Sequence, residues 1–245
     1  MALASGVLAG ASLLTTQYIQ SVVGLSPAVA GLWQAPTGIG IAAGVLTAPV
    51  LVSKVAPRTA IVFGLGVSAG GLMLLTTVGS ADGPAVTALL IAVVAFGVGP
   101  LFALGTGIAI STAPAERAGS AASLSESSNV LGSTLGLAVL GTVGTAVYRS
   151  RLERSAPENV PADILDQAKQ TIGGAAAVAE PTGSGQDLFE AARAAFTSGI
   201  HVVAVVGAVL VALAAVAAWV SLRRPAGMSA SEPRVSENYN EGSLR

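Results

Sequence analysis

Six runs of about 20 largely apolar residues, each long enough to cross a bilayer as a helix, recur along this sequence. Backbone in hydrocarbon must satisfy its own hydrogen bonds, so such a chain folds either as a helical bundle or as a closed barrel. A barrel needs short segments of alternating polarity, and these are absent. The expected fold is therefore an all-α integral membrane protein. Its spans fall at about 2–23, 27–52, 60–78, 85–110 and 114–148, with a sixth inside 196–224. Charged residues make up only 10% of the chain, against about a quarter in soluble domains. The sixth span is set off by a long polar loop over 149–195, and a polar tail over 225–245 is expected to be disordered.

Local signals refine the boundaries. Ser26-Pro27 predicts an N-cap followed by proline at the first helical position. Ser80 to Pro84 predicts a turn, and Pro114 is expected to open the fifth helix. Pro36 and Pro100 lie inside spans, where each removes a backbone bond and supplies a candidate hinge. Gly97, Gly99, Gly105 and Gly107 mark the fourth span as bendable. Gly66 and Gly70 form a small-xxx-small pair, a pattern that glycine-rich apolar helices also produce by chance. Within the long loop, Ile164, Leu165, Ala168 and Ile172 share one face of a weak amphipathic helix suited to a membrane surface and ended by Gly173-Gly174. A flexible turn is expected over 181–186. Asp187 and Glu190 then resemble a capping box for a helix leading into the last span.

The stretch 119–147 carries a carboxylate, Glu126, about two turns in from its start. An acid at membrane depth is costly and is a functional-site candidate by default. The bland alternatives are a carboxylate reaching the interface or one paired structurally. Ser123, Asn129 and Ser133 share the helical face of Glu126. Ser128, Gly132 and Gly136 recur every fourth position and would let a neighbouring helix approach closely. Gln34, Gln17 and Tyr18 are further cavity-lining candidates, and Gln17 and Tyr18 equally suit an interface. His201, the only histidine, fits an interfacial position better than a proton relay.

Several function classes fall away. There is no cysteine and one histidine, which excludes cysteine and multi-histidine metal sites, and no cofactor is expected. A net charge of −1 gives no sign of nucleic-acid binding. An intramembrane enzyme would need a nucleophile with a base, or two acids, at depth. A channel would need a ring of charges or paired half-helices. The first span lacks a basic leader and is not expected to be a cleaved signal peptide. Lys54, Arg58, Arg117, Arg223 and Arg224 would all lie on one side, so both termini are expected in the cytoplasm of a multi-pass protein of the inner (plasma) membrane. Arg149, Arg151 and Arg154 argue the other way, but they sit in the long loop, where the rule is weak. Ten arginines against two lysines, with abundant Ala, Gly and Val, suggest a high-GC bacterial gene.

Four stretches carry a family resemblance. TTQYIQSVVGLSPAVAGLWQAPTGIG (Thr15 to Gly40) holds a Tyr-Gln helix end, a Gly-Leu-Ser-Pro turn and a helix-interior proline. APVLVSKVAPRTAIVFGL (Ala48 to Leu65) holds a basic loop. The third runs from Ala113 to Ser150 and includes Glu126, and the fourth is AFTSGIHVV (Ala195 to Val203). Together they resemble the C-terminal half of a fourteen-helix drug:proton antiporter of the major facilitator superfamily, the EmrB/QacA-type group. The match covers nearly everything up to Arg224.

The resemblance implies one six-helix bundle of a major-facilitator fold and proton-coupled efflux of amphipathic or cationic drugs. Glu126 would then serve in proton or cation coupling. Its partners would be the small substrate, protons, the lipid bilayer, and an N-terminal half or a second copy. The family's N-terminal half has no counterpart here, so the chain is expected to be a fragment or one half of a split pair. Gly97-Val98-Gly99-Pro100 has the flavour of the family's antiporter motif but lies in the other half. A non-transporting structural or assembly protein, or an inactive fragment, is the alternative.

Overall fold

A computed structural model describes residues 1–157, 159–178 and 184–222. It is all-helical, and six helices among the described residues are long and apolar enough to span a membrane. In chain order they are α1 (Ala2–Gln17, continued by a π-helical turn Tyr18–Val22), α2 (Pro27–Val52), α3 (Pro57–Leu75), α4 (Pro84–Ser111), α5 (Ala118–Ser155) and α8 (Ser184–Ser221). Two short helices, α6 (Ala162–Gln170) and α7 (Ile172–Val178), lie between α5 and α8.

Proline at the first helical position sets three of the starts. Pro27, Pro57 and Pro84 open α2, α3 and α4, so α3 and α4 begin earlier than the apolar runs alone suggest. Ser26 caps α2 as expected, its Oγ accepting from the Val29 N–H at 3.5 Å. Gly24 has φ +82°, the only positive value among the described residues, and turns the chain between α1 and α2. Pro114 precedes a 3₁₀ turn, Ala115–Arg117, rather than opening α5 itself.

α5 and α8 each run for 38 residues, ~57 Å, well past a bilayer's hydrocarbon. Apolar spacing explains the extensions. Tyr148 and Leu152 on α5, and Leu188, Ala192, Ala195 and Phe196 on α8, are all buried. They hold α6 and α7 against the end of the bundle, where Ala168, Ile172 and Ala175 are also buried. The Tyr148 hydroxyl donates to the Ala168 carbonyl at 2.7 Å. The apolar face of α6 thus seats on protein, not on a membrane surface. The break after α6 falls at the extended Thr171, and Gly173 and Gly174 lie inside α7. Asp187 lies in the first turn of α8 rather than capping it. Of the turn expected over 181–186, residues 184–186 are helical and 181–183 lie outside the described residues, as do Arg223, Arg224 and the tail 225–245.

Close packing rests on glycine at two crossings. Gly6 and Gly10 of α1 meet Gly132 and Gly136 of α5; a Cβ on Gly6 would sit 2.6 Å from the Gly132 carbonyl oxygen. At the other crossing, Gly97 of α4 lies against Gly64 and Ser68 of α3, and Gly99 against Gly44 of α2. Ser68 donates to the Val94 carbonyl at 2.7 Å across the same contact. Pro100 is buried beside them, leaving the Phe96 carbonyl without an intrahelical donor just where the Gly44 backbone presses in. The glycines of mid-α4 therefore serve close approach, and α4 runs unbroken through them. Gly66 and Gly70 face open space and form no packing pair.

One end of the bundle is tied together by side chains converging on the α3–α4 turn. The Tyr18 hydroxyl lies 2.7 Å from the Gly79 carbonyl oxygen and 2.9 Å from that of Asp82. Arg193 donates to the Ser80 carbonyl at 3.1 Å. His201 Nε2 lies 2.7 Å from the Val78 carbonyl oxygen, so that nitrogen carries the proton and donates. This is a structural tie. Tyr18→Phe should lower stability by about 1 kcal/mol, read as a lower Tm in detergent together with faster proteolysis at the turn.

Candidate functional site

The six spans are not equally covered. The most apolar windows of α1 and α4 are 61% and 56% buried, while those of α2 and α5 are each 17% buried. Leu32, Ile39 and Leu46 on α2, and Leu131, Leu135 and Val139 on α5, are exposed. α1 and α4 are central; α2 and α5 flank them with most of their surface free.

Polar groups gather on α1. Ser12, Thr16, Gln17 and Gln20 are half-buried. The Gln34 amide of α2 donates to the Ser12 carbonyl at 3.2 Å and to the Thr16 hydroxyl, while Thr37 donates to its carbonyl oxygen at 3.1 Å. Gln34 is thus a polar cross-link between α1 and α2, which explains why a span tolerates its amide. Trp33 beside it packs against the core.

Gln17 lines a cavity of about 410 Å³ between α1 and α5, with Leu13, Leu137, Thr142, Thr145 and Arg149. A second cavity of about 270 Å³ shares Gln17 and Thr145 and reaches Ser21, Gln170 and Thr171. The sequence reading missed Thr142, Thr145 and Arg149. Their i, i+3, i+7 spacing on α5 was the available signal, because it puts three hydrogen-bonding side chains on one face. Tyr18, by contrast, is fully buried and held on the α3–α4 turn, so it lines neither cavity.

The face predicted around Glu126 is present but lies away from those cavities. Glu126 is exposed and makes no hydrogen bond or ion pair among the described residues. Eleven residues of helix, ~16 Å, separate it from Leu137 at the cavity edge. Ser123 is exposed and donates back to the Gly119 carbonyl at 3.0 Å, and Ser133 does the same to the Asn129 carbonyl at 3.0 Å. That carbonyl also accepts from Ser5 of α1 at 3.1 Å. The Asn129 side-chain oxygen is buried without a hydrogen-bond partner among the described residues. Pro36 is half-buried in an unbroken α2. No group of three or more His, Cys, Asp or Glu residues able to hold a metal occurs among the described residues.

Residues 1–137 match the family model of the Major Facilitator Superfamily. The chain belongs to the major facilitator superfamily. Its six membrane-length helices are those of one half of a major-facilitator fold, and the family is one of transporters rather than enzymes.

Named relatives within the superfamily sharpen the comparison. The chain is 36% identical over 212 residues to the multidrug efflux pump LfrA of Mycolicibacterium smegmatis, a match covering 85% of this chain and 42% of LfrA. It is 30% identical over 225 residues to the tetracenomycin C resistance and export protein of Streptomyces glaucescens, covering 88% and 42%. The multidrug resistance protein Stp of Mycobacterium tuberculosis is 33% identical over 165 residues, covering 64% and 30%. The chain thus spans less than half the length of these relatives.

Proposed function

We propose that this chain is the C-terminal six-helix half of a fourteen-helix, EmrB/QacA-type drug:proton antiporter, exporting amphipathic or cationic compounds together with an N-terminal half. One observation carries this reading: identity to an efflux pump runs through 85% of the chain yet occupies 42% of the pump. The uneven burial supports it. The apolar windows of α2 and α5, each 17% buried, leave room for a second bundle on their open sides. Major-facilitator transport works by rocking two bundles about a site at mid-membrane. The open sides of α2 and α5 suit such a partner, and the Gln34 cross-link keeps α1 and α2 moving as one unit.

Glu126 is the coupling group in this scheme. A carboxylate without a protein partner can hold either a proton or a substrate cation. A proton and a substrate cation compete for the one carboxylate, because each neutralises the same charge. Cation binding therefore expels the proton, and proton return expels the cation. Pro36, in a helix with free sides, is the better placed hinge; Pro100 is wedged between neighbours. Lys54, Arg58 and Arg117 in the short loops favour a cytoplasmic position for both termini.

Ethidium accumulation in pump-deficient bacteria tests the reading. The chain alone should leave accumulation at the empty-vector level. Co-expression with the N-terminal portion of LfrA should lower it severalfold. Efflux by the chain alone would refute the need for a second half. A well-inserted pair without efflux would refute the transport assignment.

A further inference from the structure

Arg149, Arg151 and Arg154 lie on the side of the membrane that positive-inside reasoning leaves poor in basic residues. The structure separates them. Arg149 turns toward α1 and α6, its Nε donating to the Lys169 carbonyl at 3.2 Å. Arg151 and Arg154 instead line a pocket of about 230 Å³ between α5 and α8, with Ser155, Ala194, Ala195 and Ser198.

This pocket is cationic, and no carboxylate among the described residues pairs with it. Among the described residues Arg154 donates only to Ser150, through Nε to the carbonyl at 2.9 Å and Nη2 to the hydroxyl at 3.0 Å. Arg151 donates to no protein group among the described residues. The nearby Glu153 is paired with Lys169 at 3.2 Å, and neither pocket arginine has a carboxylate within 4.0 Å among the described residues. Ser155 and Ser198 bring two hydroxyls to the same space. Guanidinium forks match the oxygens of a phosphate, and hydroxyls add donors to them.

What runs away from the pocket identifies the rest of the ligand. Directly along α8 from Ser198 lie Val202, Val205, Val209, Leu213, Val216 and Val220, all exposed and spaced three or four apart. They form one continuous apolar stripe whose head is the arginine pocket. From Ser198 to Val209 is ~16 Å, about the hydrocarbon depth of one leaflet. The stripe sets the pocket at the head of a lipid-facing surface, where the phosphate and acyl chains of one phospholipid can meet the protein together.

We infer that the α5–α8 pocket binds the phosphate of an anionic phospholipid, with Arg151 and Arg154 on the headgroup and the acyl chains along Val202, Val205 and Val209. The site is independent of the transport assignment and of which leaflet it faces. It gives Arg151 and Arg154, in the last turns of α5, a lipid-anchoring role in place of a topological one.

Native mass spectrometry of the purified chain, titrated with phosphatidylglycerol, tests this. The wild-type protein should retain a discrete phosphatidylglycerol adduct, and the Arg151→Gln/Arg154→Gln double variant should bind it about tenfold more weakly. Arg149→Gln, on the other side of α5, should retain the wild-type adduct. Far-ultraviolet circular dichroism confirms that the variants keep their helices. Equal retention by the wild-type and double-variant proteins would overturn the site. Equal retention of phosphatidylcholine would overturn the selectivity for anionic lipid. Displacement of the adduct by millimolar inorganic phosphate would assign the pocket to a free anion instead.

Discussion

Gly97→Leu should prevent the six-helix bundle from assembling, while Gly66→Leu in the neighbouring helix should leave it intact. A Cβ at Gly97 would lie 2.6 Å from the Ser68 backbone nitrogen and still closer to the Gly64 carbonyl oxygen and the Ser68 hydroxyl. Two of those atoms belong to the backbone of α3, so no side-chain rotation relieves the overlap. α3 must move away from α4, which breaks the Ser68–Val94 hydrogen bond and opens the contact across Leu65, Val94 and Val98. Overpacking of this kind costs ~3 kcal/mol or more, a large fraction of a protein's total stability. A Cβ at Gly66 meets nothing within 4 Å. Size-exclusion profiles and melting curves in detergent should show aggregated or absent Gly97→Leu protein and a near-wild-type Gly66→Leu protein.

Glu126→Gln, in the chain paired with an N-terminal half, should abolish gradient-driven efflux without changing abundance in the membrane. Glutamine keeps the size and hydrogen-bonding capacity of the side chain but can neither release a proton nor balance a cation. The variant should accumulate ethidium to the level reached when a protonophore collapses the gradient, and Glu126→Asp should retain part of the activity. The unpaired state of Glu126 gives the abundance control its force. A carboxylate held in a structural pair would make its loss a folding defect, visible as missing protein. Abundant Glu126→Gln protein that still extrudes dye would remove Glu126 from the coupling scheme.

The spans were legible because apolar length is a strong and redundant signal. Their ends were less so. Pro57 and Pro84 occupy the same first-turn position as Pro27, yet the apolar runs begin after them and draw the eye inward. α8 looked like a span with a separate helix leading into it. The Leu188, Ala192, Ala195 and Phe196 face is short and interrupted by charge, and it shows its purpose only when packed against α5 and α7. Glycine spacing alone could not separate Gly66 and Gly70, which face open space, from Gly132 and Gly136, which touch α1. Which glycine meets a neighbour depends on how each helix is rotated in the bundle, and one helix's sequence does not encode that.

The site divided in the same way. Gln34 was a fair candidate because an amide in a span needs a partner, but its partners, Ser12 and Thr16, appear only when α1 and α2 are set side by side. Tyr18 looked like an interface or cavity group, and the turn that binds its hydroxyl lies more than sixty residues away in sequence. The polar α5 row of Thr142, Thr145 and Arg149 was overlooked because threonine blends into an apolar span, where it hydrogen-bonds its own helix, as Thr142 does to the Ala138 carbonyl at 2.7 Å.

Proton release on substrate binding addresses drug:proton exchange at Glu126 most directly. The purified pair of halves, in weakly buffered detergent with a pH-sensitive dye, is mixed with tetraphenylphosphonium. Wild-type protein should acidify the medium in proportion to the cation bound, and Glu126→Gln should bind without acidification. Equal proton release from both would contradict the assignment of Glu126 as the group that exchanges proton for drug.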